Sequence, residues 1–498
     1  HYSQEDFSIP ALGGPLRFER SYNSLAVTDT LVYSQPLGSG WTHNYDMQMV
    51  FSDTVGGEAD TVIVEGCRGS RFRFDEDFDD DGEYNAYPGV WATLTRTLGT
   101  TPTTYYLAGV DQSTYVFSST GQLAEIRDPQ GHALTLVYSG TQLIRVEDAT
   151  EERYLSFDYE DGLLTDVSDP VGRTTHLDYN GSGELIAATL SATGFPDLSW
   201  TYSYTGTHLL YDIRDPEGSI IERTDYDDQK RAVRQWDGAL DEPLRISYGV
   251  TDTDSLVSTV ITDPEGQITV DWYDDFGTLV EQTVAGESSQ RTYDNWLNWT
   301  STTDANTNTT DYVFNQMGLP ERVEDAEGNV TEMTYDSQYH LTSVTDARSN
   351  TTEYEYDGDL LTTVTDALGG TVVNSYDDGL LTQTVDHGIT TTYAYTDVGD
   401  LTAVTNAIPD GDDIATTYEY DAAGRLITTT VAAGTPLERV TVNAYDAADN
   451  LIRVTENVTD NTAADPNTYN LTTEYEYDGA GRLITETDPL NHVTVYDY

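Results

Sequence analysis

The sequence predicts an all-β protein, a single antiparallel sheet that grows by repeating one hairpin of about twenty residues. Three observations predict it. A Tyr followed by Asp, Asn or a substitute recurs about 17 times from Tyr138 to Tyr498, with a constant step of 21 through Tyr293, Phe314, Tyr335 and Tyr356. Between these anchors polar and apolar residues alternate: in "TTEYEYD", Tyr354 and Tyr356 fall on one face and Glu353 and Glu355 on the other, the period of a half-buried strand. Clusters of Asp, Gly and Pro bound each alternating run, as turns require.

Residues 1–127 are the least regular part, with short runs such as "SRFRF" and "STYVF" that read as early strands of the same sheet. Residues 128–498 carry the repeat, expected to be about 17 units, in which a Tyr-Asp pair, a turn, an apolar pair, a second turn and a Thr-rich return follow one another. In "YDAAGR" the Asp421 carboxylate is placed to accept turn amides, and Gly424 to take the positive φ that closes the turn. Asp-Pro pairs at Asp128, Asp169, Asp215, Asp263 and Asp488 open the second turn of their units, Pro fixing φ. A lone hairpin is marginal in water, so units must pair edge to edge, with the tyrosines as core and ladder residues. Leu341 and Val344 in "HLTSVTD" are three apart and cannot share a face of a regular strand, which calls for a bulge.

The chain carries 87 acidic residues against 23 basic ones, a formal charge of −64, and Lys230 is its one lysine. Such a surface repels nucleic acid and anionic membranes, so neither is expected as a partner. It suits high salt or divalent cations, and equally an ordinary solvated surface. Relief of self-repulsion predicts a melting temperature that rises with salt or millimolar calcium; an unchanged value, with and without chelator, would remove that reading. The one cysteine, Cys67, excludes an internal disulfide and fits a buried thiol. No apolar run reaches the length of a membrane span, and His1 opens the chain without a signal-like segment, so the true N-terminus is expected upstream.

"YEYDAAGRLITTT" resembles the YD repeat of the Rhs family, which includes bacterial Rhs proteins, Tc-toxin C components and teneurins, and the likeness runs from Asp128 to Tyr498. "DFSIPALGGPLRFERSYNS" (Asp6 to Ser24) and "PLGSGWTHNYD" (Pro36 to Asp46) resemble the segment that opens the repeat region in bacterial members. The resemblance implies an antiparallel sheet winding spirally into a hollow shell or barrel-like solenoid. In toxin-carrying members such a shell encloses a C-terminal effector behind a self-cleaving, core-associated domain. Neither is present in the sequence, and Asp488 to Tyr498 aligns with Asp325 to Tyr335, so the chain is expected to stop mid-repeat within a longer protein.

The eight histidines form no catalytic cluster; His132 and His492 share one repeat slot, His340 takes the slot of Arg425 and Arg482, and all are expected at the surface. No nucleophile elbow, phosphate loop or Cys-His metal pattern occurs, and turn chemistry already accounts for the repeated aspartates, so no enzymatic activity is expected. The one candidate site is "DEDFDDDGEYN", where Asp77, Asp79 and Asp81, followed by Gly82, resemble the first half of a calcium loop and Asn85 falls at its ninth position, with Pro88 where the bidentate Glu would stand; a solvated acidic loop reads equally well. Calcium is the only cofactor this suggests. Two functions compete: the non-catalytic scaffold of a secreted shell that encloses or presents an effector, and an extracellular fibre or surface adhesin of stacked repeats whose partners are neighbouring copies or glycans. Glycan binding would need solvent-facing aromatics, with Trp272, Trp296 and Trp299 as the candidates.

Overall fold

The computed structural model describes all residues except 29–34, 56–57, 67–68, 77–80, 239–240, 252–255, 409–412, 459–468, 480 and 498. Among the described residues there are 44 strands and one 3-10 turn, Ser24–Thr28. The opening segment does not begin the long sheet. β1 (Tyr2–Ile9), β2 (Leu16–Tyr22) and β3 (Trp41–His43) form a three-stranded sheet of their own. β4 (Gln48–Val55) then starts a single meander that runs to β44 (Val493–Val495), each strand antiparallel to the next. The sheet touches itself where Gln48 bridges Gln122 and the Met49 amide donates to Gly121 O at 2.8 Å.

The expected bulge is present and systematic. Met333 pairs with Val344 and Tyr335 with Leu341, so one extra residue, Thr342, re-phases the strand and brings Leu341 and Val344 to the anchor face. The same shift immediately precedes Tyr356, Tyr376, Tyr395 and Tyr445, among others. Beyond the bulge the next strand no longer pairs, and the anchor phenol fills the gap. Tyr356 Oη donates to Leu341 O at 3.0 Å, Tyr376 to Leu361 O at 2.9 Å and Tyr395 to Leu381 O at 2.9 Å. Each acceptor is the residue paired with the preceding anchor, so the tyrosines form a relay from hairpin to hairpin. Phe314, which has no hydroxyl, interrupts it. Tyr356→Phe is therefore expected to cost about 1 kcal/mol, read as a lower urea midpoint; a midpoint within error of the parent would show that the relay contributes only packing.

The longer turns on both rims use one chemistry, while others, such as Asp357–Leu360 and Asp377–Leu380, are closed by two residues. At Asp421 the side chain accepts from Ala423 N at 2.9 Å and Arg425 N at 3.0 Å, while Gly424 sits at φ 76°. The second carboxylate oxygen holds the side chain four residues on, which is Arg425 here, Asn329 at Asp325 and His340 at Asp336. In a meander, alternate turns lie on opposite edges of the sheet, so the Tyr-Asp turns make one rim and the Asp-Pro turns the other.

The core sits between the small sheet and the first part of the long one. Phe18 meets Phe157 at 6.1 Å and Trp41 meets Tyr202 at 5.0 Å between ring centroids. Fully buried Ile9, Leu16, Leu155 and Leu185 join them. The small sheet thus fills the first coil against its anchor face, as a plug. Past residue 220 the buried apolar residues, among those described, are Met317, Ala423, Ala432 and Ala447. The same anchor face is left uncovered there, and the second coil is hollow.

Candidate functional site

Long-range contacts show how the coils stack. Trp91 Nε1 donates to Asn298 Oδ1 at 3.0 Å, Gln112 Nε2 to Gln338 O at 3.0 Å, and His132 Nε2 lies 2.7 Å from Asp378 O. Arg153 reaches Asp400 at 2.5 Å, and Arg173 reaches both carboxylate oxygens of Asp449 at 2.6 Å. Every first-coil partner belongs to the Asp-Pro rim and every second-coil partner to the Tyr-Asp rim. The seam is a rim-on-rim contact, built from neutral hydrogen bonds at Trp91 and Gln112 and from ion pairs of Arg153 and Arg173 with turn aspartates.

The coils differ in girth. As the seam advances from Trp91 to Arg173 along the first coil it advances from Asn298 to Asp449 along the second, nearly twice the length of chain. Long side chains at the narrow rim serve this mismatch by bridging neighbouring turns of the wide one. Trp91 bonds Asn298 and packs on Gly318, and Arg153 bonds Asp400 and packs on Gly424. Arg153 also donates to Pro10 O, and Arg173 to Ser8 O at 3.4 Å, so the β1–β2 loop of the plug reaches the seam. At the other rim Pro36 O accepts from Leu164 N at 2.8 Å and Ser24 Oγ donates to Lys230 O at 2.8 Å. The plug therefore spans the narrow coil from the seam to its free rim.

The turn carboxylates are electrostatically tuned. Asn308, Asn329 and Asn350, followed by turn amides, hold Asp304, Asp325 and Asp346 below the usual carboxylate range. A depressed folded value means stability present above the unfolded value, near 4, and lost as pH falls through the folded one. Wild type is expected to lose its melting-temperature advantage over Asp325→Asn between neutral pH and about pH 3; an equal gap at both would refute this.

Of the calcium candidates, Asp77 and Asp79 lie outside the described residues, as does Cys67. Asp81 is exposed and accepts from Glu83 N at 2.9 Å, a turn-capping role, and Asn85 is on a strand opposite Asp75. Among the described residues no group of three or more metal-ligating side chains converges. The tryptophans divide: Trp272 lies on the face opposite Tyr273, Trp296 O accepts from Gly89 N in the seam at 3.0 Å, and Trp299 is 48% exposed on the uncovered anchor face near Tyr312. Two histidines depart from the expected surface positions. His43 is buried among Phe18, Tyr45 and Phe157, and burial pushes it down to about 3. His340 is buried because Asp336 and Asp359 hold its two nitrogens, each at 2.9 Å, over the Tyr356 ring.

Comparison with known proteins agrees with this architecture. A family model described as "RHS Repeat" matches residues 335–371, 409–436 and 445–493, and one described as "Domain of unknown function (DUF6531)" matches residues 1–74. The tRNA(Glu)-specific nuclease WapA of Bacillus subtilis subsp. natto is 26% identical over 287 residues, 53% of this chain and 11% of the relative. The tRNA nuclease WapA of Bacillus subtilis strain 168 is 27% identical over the same shares. The chain thus spans about a tenth of these relatives. A chain of the Photorhabdus luminescens Tc holotoxin pore superposes with a TM-score of 0.55 at 14% identity, over 97% of this chain and 26% of that one, a likeness of fold. No helix among the described residues is long and apolar enough to cross a membrane.

Proposed function

Because the chain belongs to the Rhs/YD-repeat family, we propose that it is the non-catalytic scaffold of a secreted shell whose wide coil encloses or presents an effector carried on a C-terminal part of the same protein. One observation carries this reading: the anchor face that the plug covers in the narrow coil is uncovered in the wide one. An apolar and aromatic face exposed on that scale marks a surface that receives something. The plug occupies one end, so the free volume lies on the side toward which the chain proceeds. Catalysis belongs to the effector, because the repeated aspartates that head the longer turns, such as Asp325, Asp336 and Asp421, are engaged in closing them. The relatives are named as nucleases and as part of a toxin, and most of their length lies beyond the matched region, which leaves room for such an effector.

Electron microscopy of the full-length native protein at its source salt tests the proposal. Closed hollow particles with density inside the wide coil are the expected result. Long polymers would overturn it and favour the fibre.

A further inference from the structure

One cavity belongs to neither the seam nor the wide coil. It measures about 860 Å³ and lies where the end of the plug meets the free rim of the narrow coil, lined by His43, Asp46, Tyr138, Thr141, Gln142 and Tyr159 among others. Asp46 ends the "WTHNYD" run just after β3. Its amide donates to His43 O at 2.9 Å, and its Oδ2 accepts from Thr42 Oγ1 at 2.8 Å.

No cationic side chain among the described residues pairs with this carboxylate. His43 beside it is held neutral by burial. The nearest other charge is Glu65, itself bonded to Arg71 at 3.1 Å and to Gln48 at 3.0 Å, and its sign is the same. Burial and then Glu65 push the Asp46 carboxyl up to about 7, against the bond from Thr42. Tyr138 and Tyr159 line the same space as Asp46, and burial, then Asp46, push their phenols above the ordinary value, which keeps them protonated. The cavity therefore presents a carboxyl that ionises near neutrality without a cationic partner, beside two tyrosines that line the same space, in a molecule of charge −64.

We propose that this cavity binds a small organic ammonium ion, its head held by the Asp46 carboxylate and the rings of Tyr138 and Tyr159. The chemistry selects this class. An anion would meet Asp46, which has no cationic partner among the described residues. A neutral polyol would satisfy the phenols but give Asp46 no reason to ionise, whereas a cation stabilises the charged form that burial disfavours. An ammonium head offsets the charge and gains the attraction of the ring faces, and the volume is that of an ordinary small-molecule site. The inference is independent of the guest proposed for the wide coil, because the plug separates the two spaces.

The test uses the intact protein in about 0.15 M salt, where diffuse attraction is screened. Choline is the probe, and 3,3-dimethylbutan-1-ol, its uncharged carbon isostere, is the control. Calorimetric titration is expected to show one saturable choline site, with the isostere weaker by about tenfold or more. Asp46→Asn should weaken choline to a similar degree, and Thr141→Arg, an exposed position on the cavity wall, should abolish binding by filling the space with a cation. Glu353→Gln, exposed in the wide coil, should leave it unchanged. If Asp46→Asn does not fold, Thr141→Arg decides. Failure of choline to saturate, equal binding of the isostere, or binding that survives Thr141→Arg would overturn the proposal.

Discussion

Arg173→Ala is expected to open the seam by about 3 kcal/mol, on the order of a hundredfold more open molecules. Arg173 Nε donates to Asp169 at 2.6 Å, Nη1 holds both oxygens of Asp449 at 2.6 Å, and its carbon lies 5.2 Å from the Phe7 ring centre. One guanidinium thus ties the narrow rim, the wide rim and the plug together. The Asp169 side chain is fully covered and loses its only cation among the described residues, whereas Asp449 is 31% exposed and keeps Arg425 at 3.1 Å, which sets the figure at the low end for a broken buried pair. Arg173→Lys should recover little, since a point charge cannot serve three directions. The check is limited proteolysis of wild type and variant. Cleavage should speed up in the wide coil and stay unchanged in the narrow one. Equal rates everywhere would show that the seam holds without this residue.

Arg20→Met is expected to cost about 4 kcal/mol. Arg20 and Asp6 both have fully covered side chains and pair in two parallel bonds of 2.7 Å, and Arg20 also donates to Tyr202 Oη at 2.5 Å. Burial opposes its charge, and Asp6 restores it, raising the guanidinium further above its ordinary value. Removing the cation leaves Asp6 charged inside the plug, whereas Arg20→Met with Asp6→Leu removes both charges and should be close to neutral. Chemical denaturation of the single and double variants separates the cases. A double variant as unstable as the single one would mean that the pair, and not the stranded charge, carries the stability.

The repeat told most of the fold. Period-two alternation set the strands, and Asp421 with Gly424 set the turns, because both are local consequences of a few neighbouring residues. Even the bulge was visible as the mismatch of Leu341 and Val344. The plug was not legible, since "LRFERSY" alternates like any strand and nothing local says it pairs only with its own neighbours. The seam was hidden for a different reason: Arg173 occupies the same turn-capping slot as Arg425, and its second role depends on a partner 276 residues away. The cavity at Asp46 gave no signal either, because a lone aspartate after a strand reads as a turn residue. His340 shows the same limit, its burial being decided by Asp359 in the next hairpin.

The unequal girth of the two coils also imposes an order in time. Chains emerge N-terminus first, and contacts distant in sequence form late because closing long loops is entropically costly. The plug and narrow coil can complete each other while the rest of the chain is still unmade, since their contacts lie within the first part of the sequence. The wide coil has no internal template and gains its curvature only by settling onto a finished rim. Its closure therefore follows completion of the narrow coil, and an effector carried on a C-terminal part, as proposed above, would emerge only after the strands of the wide coil have been made.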